Sequence, residues 1–179
     1  HFHSIHDTSY NSTLELRRTT MGAQTISNFK SLTVDVTPTL DTSAYAQNDV
    51  LFNFTEVALG QGNQVKGTIN GFSLLDKDDN GNQITVFVSD SSTASLGTVN
   101  SAVTISDADA ATILSYVDTG DTYEDLVGSQ VIKPAAFTPI PFNVEAGSIY
   151  IGGVLRGAAT PTHTASGITI RLHLTIEGA

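Results

Sequence analysis

Residues 167–177, Gly-Ile-Thr-Ile-Arg-Leu-His-Leu-Thr-Ile-Glu, put five aliphatic side chains (Ile168, Ile170, Leu172, Leu174 and Ile176) at alternate positions. Thr169, Arg171, His173, Thr175 and Glu177 fall between them. Side chains along a strand point to opposite faces, so this segment is a half-buried strand with one face on a core. The same period of two recurs along the chain: Val50, Phe52 and Phe54 alternate with Leu51, Asn53 and Thr55, and Ile84, Val86 and Val88 with Thr85, Phe87 and Ser89. Such a sequence commits its apolar residues to sheets, and it offers few residues arranged for chemistry.

The pattern predicts strands at Thr25–Val36, Ala44–Val57, Gln64–Leu75, Gln83–Ser89, around Tyr116–Val117, and at Leu126–Lys133, Phe142–Val144, Ser148–Leu155 and Gly167–Ile176. Many short strands separated by turn signals mean an all-β sandwich or barrel, antiparallel throughout. One short helix is expected at Asp107–Leu114, with Ser106 as N-cap and Asp107 and Asp109 near the positive end of its dipole. The run from Pro134 to Pro141 holds three of the five prolines. Pro lacks the N–H a central strand needs, so this run reads as loop or edge. Gly152-Gly153 reads as a bulge or a close backbone approach. No period of 20–50 residues appears, which excludes a solenoid.

At 179 residues the chain divides most simply into an arm, 1–24, and one sandwich domain, 25–179. The first stretch is polar and holds Arg17-Arg18 and three of the five histidines, with little alternation. Met21-Gly22 resembles a translation start, so residues 1–20 read as a tag, an upstream stretch or a genuine arm. A polar tail of this kind cannot order itself by its own burial. As an arm it would lie on another subunit, with Arg17 and Arg18 at the partner interface.

Eight Lys+Arg against 18 Asp+Glu leave a formal charge of −10. This argues against nucleic acid as a direct ligand, because phosphate binding rests on cationic neutralisation. A basic protein surface is compatible with it. There is no cysteine, which removes disulfides, thiolate chemistry and Cys-ligated zinc. No apolar run approaches the ~20 residues of a helical membrane span, and no secretory leader is readable.

The sharpest local motif is Asp76-Lys77-Asp78-Asp79-Asn80-Gly81-Asn82. Asp76, Asp78 and Asn80 match the first half of a calcium loop, but its twelfth position is Phe87 where a bidentate Glu is required. The flanks are strand-like, which excludes an EF-hand. Asn80-Gly81 between two alternating segments predicts a tight type I′ hairpin, with calcium at Asp76, Asp78 and Asn80 as the weaker reading. No other cofactor is expected.

His1, His3 and His6 have metal-like spacing beside Asp7, but nothing around them supplies the outer hydrogen bonds of a metal site. His163 lies in a Thr/Pro-rich loop, and His173 faces outward beside Arg171 and Thr175, which suits a structural or interface role. Asp118, Asp121, Glu124 and Asp125 make the densest acidic stretch. Paired carboxylates hydrolyse glycosides, yet these alternate with Thr and Gly, and the chain has no Trp for a sugar platform. A solvated acidic loop is the expected state. No Gly-rich phosphate loop or Gly-x-Ser-x-Gly elbow occurs, and the chain is not expected to be an enzyme.

Three stretches carry a family likeness: Asp41-Thr-Ser-Ala-Tyr-Ala-Gln-Asn-Asp-Val50; Ile105-Ser-Asp-Ala-Asp109 leading to Leu114-Ser-Tyr-Val117; and Leu155-Arg-Gly-Ala158 with Thr160-Pro-Thr162 and Ile170-Arg-Leu-His-Leu174. In these the region 38–178 resembles small structural proteins of tailed bacteriophages, including those of cyanobacterial hosts. The resemblance implies a jelly-roll-like sandwich of about eight strands in a virion. It implies the role of a capsid cement (decoration) protein on the outer shell, often a homotrimer, with the major capsid protein as partner. It carries over no catalytic residues and does not cover 1–24. Three further roles would use the fold differently: a receptor- or glycan-binding module of a head or tail fibre, with its site in loops 76–82, 118–125 or 157–166; a major capsid subunit; and a glycoside-processing enzyme with two facing carboxylates.

Overall fold

The computed structural model describes residues 28–60, 64–120, 123–134 and 136–177. Ten strands and one helix follow one another: β1 Phe29–Val36, β2 Val50–Ala58, β3 Val65–Asp76, β4 Ile84–Ser89, α1 Asp107–Ala110, β5 Ile113–Asp118, β6 Tyr123–Asp125, β7 Gln130–Ile132, β8 Ile140–Val144, β9 Ser148–Leu155 and β10 Ile168–Glu177. Every pairing between these strands is antiparallel, and an isolated bridge, Val50 to Val99, is parallel. One sheet runs β1-β10-β3, and β3 then pairs β8 along Val65–Ile69 and β7 along Leu74–Asp76, with β6 outermost. The other runs β2-β9-β4-β5. Setting aside the β6–β7 hairpin, eight strands remain in two sheets of four, and every connection except β4 to β5 crosses between sheets. That winding is a jelly roll, the architecture expected.

The inner faces form one core. Strand β10 alternates buried and outward positions as its sequence demands. Strands β4 and β9 are buried almost continuously, because the second sheet is covered on its outer face too. There Val50, Leu96 and Val154 form a separate cluster with Phe54, Phe87, Val99, Val103 and Ile105. Asn53 pins the covering segment: its amide donates to the Gly97 carbonyl at 2.9 Å and its oxygen accepts from Leu96 N at 3.0 Å. Burying each Leu, Ile, Val or Phe of these clusters contributes roughly 1.5–3 kcal/mol against the entropy of ordering the chain.

Gly153 faces Phe52 in the β2–β9 register, which shifts on both sides of Phe52. The Phe52 ring occupies the space a Cβ at Gly153 would fill. The Gly-Gly pair thus marks both a bulge, on the facing strand, and a close approach, by a ring rather than by backbone.

Four local expectations are corrected. Asn80-Gly81 makes no hairpin, since β3 and β4 lie in different sheets. Positive φ falls at Asp79 (58°) and Gly81 (62°), not at Asn80, so the segment is a crossing between sheets. The helix stops at Ala110 instead of Leu114, because Ile113 onward pairs with β4; its N-cap is as expected, Ser106 Oγ accepting from Asp109 N at 3.1 Å. The strand expected at Leu126–Lys133 begins only at Gln130, and Leu126–Ser129 is the turn of a hairpin whose first strand, β6, takes in Glu124 and Asp125 from the supposed acidic loop. Strand β2 begins at Val50 rather than Ala44. Pro141 sits, as expected, on an edge strand, paired on one side with Thr68.

Candidate functional site

At one end of the sandwich the β3–β4 crossing meets the β9–β10 loop. Asp76, the last residue of β3, is 1% exposed. Its Oδ1 accepts from Asp78 N at 3.0 Å, and its Oδ2 accepts from Asn80 N at 3.0 Å and Gly81 N at 3.1 Å. One carboxylate therefore satisfies three backbone donors of a loop that has no ladder partner. That closure is why the chain turns here without a hairpin.

The next side chains tie this loop to the other. Asp78 Oδ2 accepts from Thr164 N at 2.8 Å, and Thr164 Oγ1 donates to Asp78 Oδ1 at 2.9 Å. Asn80 Nδ2 donates to the Thr162 carbonyl at 3.0 Å and lies 3.3 Å from His163 Nδ1. Lys77 N donates to the Gly167 carbonyl at 2.7 Å. His163 closes the set: its side chain is fully shielded, with Nδ1 at 3.5 Å from Asp78 Oδ2 and 4.0 Å from Asp76 Oδ1. Its ring meets that of Tyr45 edge-on, with centroids 5.9 Å apart. Tyr45 is itself buried; its hydroxyl accepts from Asp41 N at 2.7 Å and donates to the Leu51 carbonyl at 3.2 Å. Burial pushes the Tyr45 phenol up to about 12. The Asp41 carboxyl is held below its usual range, first by the Ser43 backbone N–H.

Asp76, Asp78 and His163 are the one group of three acidic or histidine residues, among the described residues, whose potential ligand atoms lie within 4.8 Å of one another. These are the side chains that could hold a cation, and two of them belong to the expected calcium trio. The third, Asn80, turns its amide nitrogen toward His163 and Thr162. The donor set fits a cation poorly. Both carboxylates are already engaged by N–H and O–H groups, and among the described residues His163 Nε2 has no partner, where a ligating histidine donates its second N–H. The cluster works as a clasp joining two loops. Its imidazole is shielded from solvent, and the hydroxyl of the adjacent Thr164 donates to Asp78.

The outer face of the β1-β10-β3 sheet is a second candidate. Asp35, Gly71, Ser73, Lys133, Arg171 and His173 line a shallow depression of ≈ 550 Å³. Arg171 grips Asp35 with two bonds, 2.7 and 2.6 Å, at the surface, which holds the Asp35 carboxyl below its ordinary range. His173 stands opposite Gly71 with Nδ1 3.3 Å from Thr33 Oγ1. It has an outward position, as expected, and among the described residues no carboxylate bonds to it.

Arg17, Arg18, His1, His3 and His6 lie outside the described residues. The burial of His163, its ring contact with Tyr45 and its place beside the 76–80 loop escaped sequence reading, since a Thr-Pro-Thr-His run carries no periodic signal. No protein-family model matches the chain, and no match is found among curated proteins. The molecule is a jelly-roll sandwich whose first sheet has a polar outer face, with a loop clasp at one end.

Proposed function

We propose that this protein is a structural component of a bacteriophage particle, a cement protein that binds the outer capsid surface and bridges major capsid subunits. The observation that carries the reading is where the three family-like stretches fall on a jelly roll. The first and third, far apart in sequence, are bonded to each other: Asn48 N donates to the Leu155 carbonyl at 2.8 Å, Tyr45 N to the Pro161 carbonyl at 3.0 Å, and Arg156 Nη1 to Asn48 Oδ1 at 2.8 Å. The middle stretch forms α1 and β5. The likeness therefore falls largely on joints of the scaffold, with Arg171 and His173 of the third stretch on the shallow outer depression, as suits a protein whose task is to adhere.

The work of a cement protein is thermodynamic. Its contacts across capsomer junctions must be lost before the shell ruptures, and about 800 Å² per partner suffices for specific docking, multiplied by the symmetry of the shell. In this reading residues 1–24, with Arg17 and Arg18, reach a neighbouring subunit, and copies assemble as trimers. Electron microscopy of purified particles tests it: density for the sandwich on the outer surface is expected, and heads lacking the protein should burst at lower temperature. Purified particles that contain no copy of the chain would refute it.

A further inference from the structure

The tip of the β6–β7 hairpin combines two features that its own fold does not explain. Val127 is 96% exposed and Leu126 55% exposed. Val127 also has a φ of 62°, followed by Gly128 at 96°. Leu126 N bonds to the Ser129 carbonyl at 2.8 Å, and Asp125 Oδ1 accepts from Val127 N at 2.7 Å, so the turn is well defined. Both of its central residues need positive φ, a position that suits Asn or Gly and strains a β-branched residue. A side chain almost wholly exposed, held in a conformation it resists, adds little to the stability of the fold. Outliers of this kind concentrate where a surface is used.

The charges beside the tip restrict what it meets. Glu124 and Asp125 are exposed, and among the described residues neither forms an ion pair. From this we infer that Leu126 and Val127 form a docking tooth that enters an apolar socket with a basic rim on the shell protein. This inference rests on the cement reading and adds the point of contact. The acidic collar disfavours an anionic bilayer and a second copy of an equally acidic chain.

The experiment compares the full chain with Val127→Asn and Leu126→Thr, measuring melting temperature and affinity for phage heads assembled without this protein. Asn relaxes the turn, so Val127→Asn is expected to melt about 2 °C higher while binding at least about tenfold more weakly, a loss Leu126→Thr shares. Binding of the wild type should also weaken as salt rises. Val127→Asn binding within about twofold of the wild type, or melting below it, overturns the tooth and leaves the cement reading standing. Wild-type protein that does not bind such heads refutes both. Capture of the wild type by phosphatidylcholine vesicles, abolished by Val127→Asn, would make the tip a lipid anchor and overturn the socket.

Discussion

Removing the Asp76 carboxylate is the most severe test of the clasp. The side chain is 1% exposed and accepts three backbone N–H bonds at 3.0–3.1 Å. A hydrogen bond to a charged group contributes roughly 1.5–3 kcal/mol net. Asp78, Asn80 and Gly81 are only half buried, so water replaces part of what Asp76→Ala removes. The expected loss is about 3–5 kcal/mol, at the upper end of what one substitution does. Asp76→Asn keeps a carbonyl oxygen for the Asn80 and Gly81 donors but places an NH2 against the Asp78 N–H. It should cost about 1–3 kcal/mol. Urea unfolding at neutral pH reads this as a falling midpoint at constant slope. Because the carboxylate oxygens are occupied by N–H donors, wild-type midpoints in calcium and in chelator should coincide. An Asp76→Ala midpoint within about 1 kcal/mol of the wild type would refute the closure argument, and a calcium-dependent rise would show that the carboxylates act as ligands.

Tyr45 makes a prediction at high pH. The unfolded phenol titrates near 10.0 and the folded one at about 12, so the native state holds its proton longer. Stability is full below pH 10 and falls by about 2–3 kcal/mol as pH rises to 12; Tyr45→Phe should flatten that decline, and an unchanged slope would refute it. Gly153→Ala drives a Cβ into the Phe52 ring and should cost about 1–3 kcal/mol or more, partly restored by adding Phe52→Leu; a neutral Gly153→Ala would sink the packing argument. The Asp35 carboxyl, lowered by Arg171, adds stability that is present above the ordinary carboxylate range and lost as pH falls through its own lower value. At the surface that contribution is too small to read in melting. Arg171→Ala should instead raise the Asp35 titration midpoint by NMR, and a midpoint that stays low would refute the pairing.

Most of the sandwich was readable because burial on one face writes itself as alternation, and β10 shows it most plainly. Where that signal failed, a tertiary contact outweighed local preference. Residues 107–114 have the N-cap and acidic first turn of a helix, yet Ile113 and Val117 gain more by joining β4 than by continuing it. Strand β9 reads as a continuous apolar run because segment 90–106 folds back over its outer face. Period-two reasoning assumes one wet face and cannot anticipate such a cover. At Asn80-Gly81 the turn residues were recognised but their use was not. A hairpin needs the flanking strands to share a sheet, and the jelly-roll winding sends β4 to the other one.

The clasp shows why the loop's chemistry was harder to foresee than its presence. Alternating oxygen side chains followed by Gly mark a segment whose backbone donors must be collected by a side chain. That much is local, and it is equally true of a cation loop and of a self-closed turn. The choice lies with residues some eighty positions away. Thr164 fills the Asp78 oxygens, and His163 packs its ring edge-on against Tyr45 beside them. Tyr45 in turn donates its backbone N–H to Pro161, so the first and last family-like stretches meet around the same histidine. Polar residues that look like ligands in the sequence here act as fasteners between crossings of the jelly roll. This leaves the hairpin tip, where exposure and backbone strain coincide, as the described segment least explained by the fold itself.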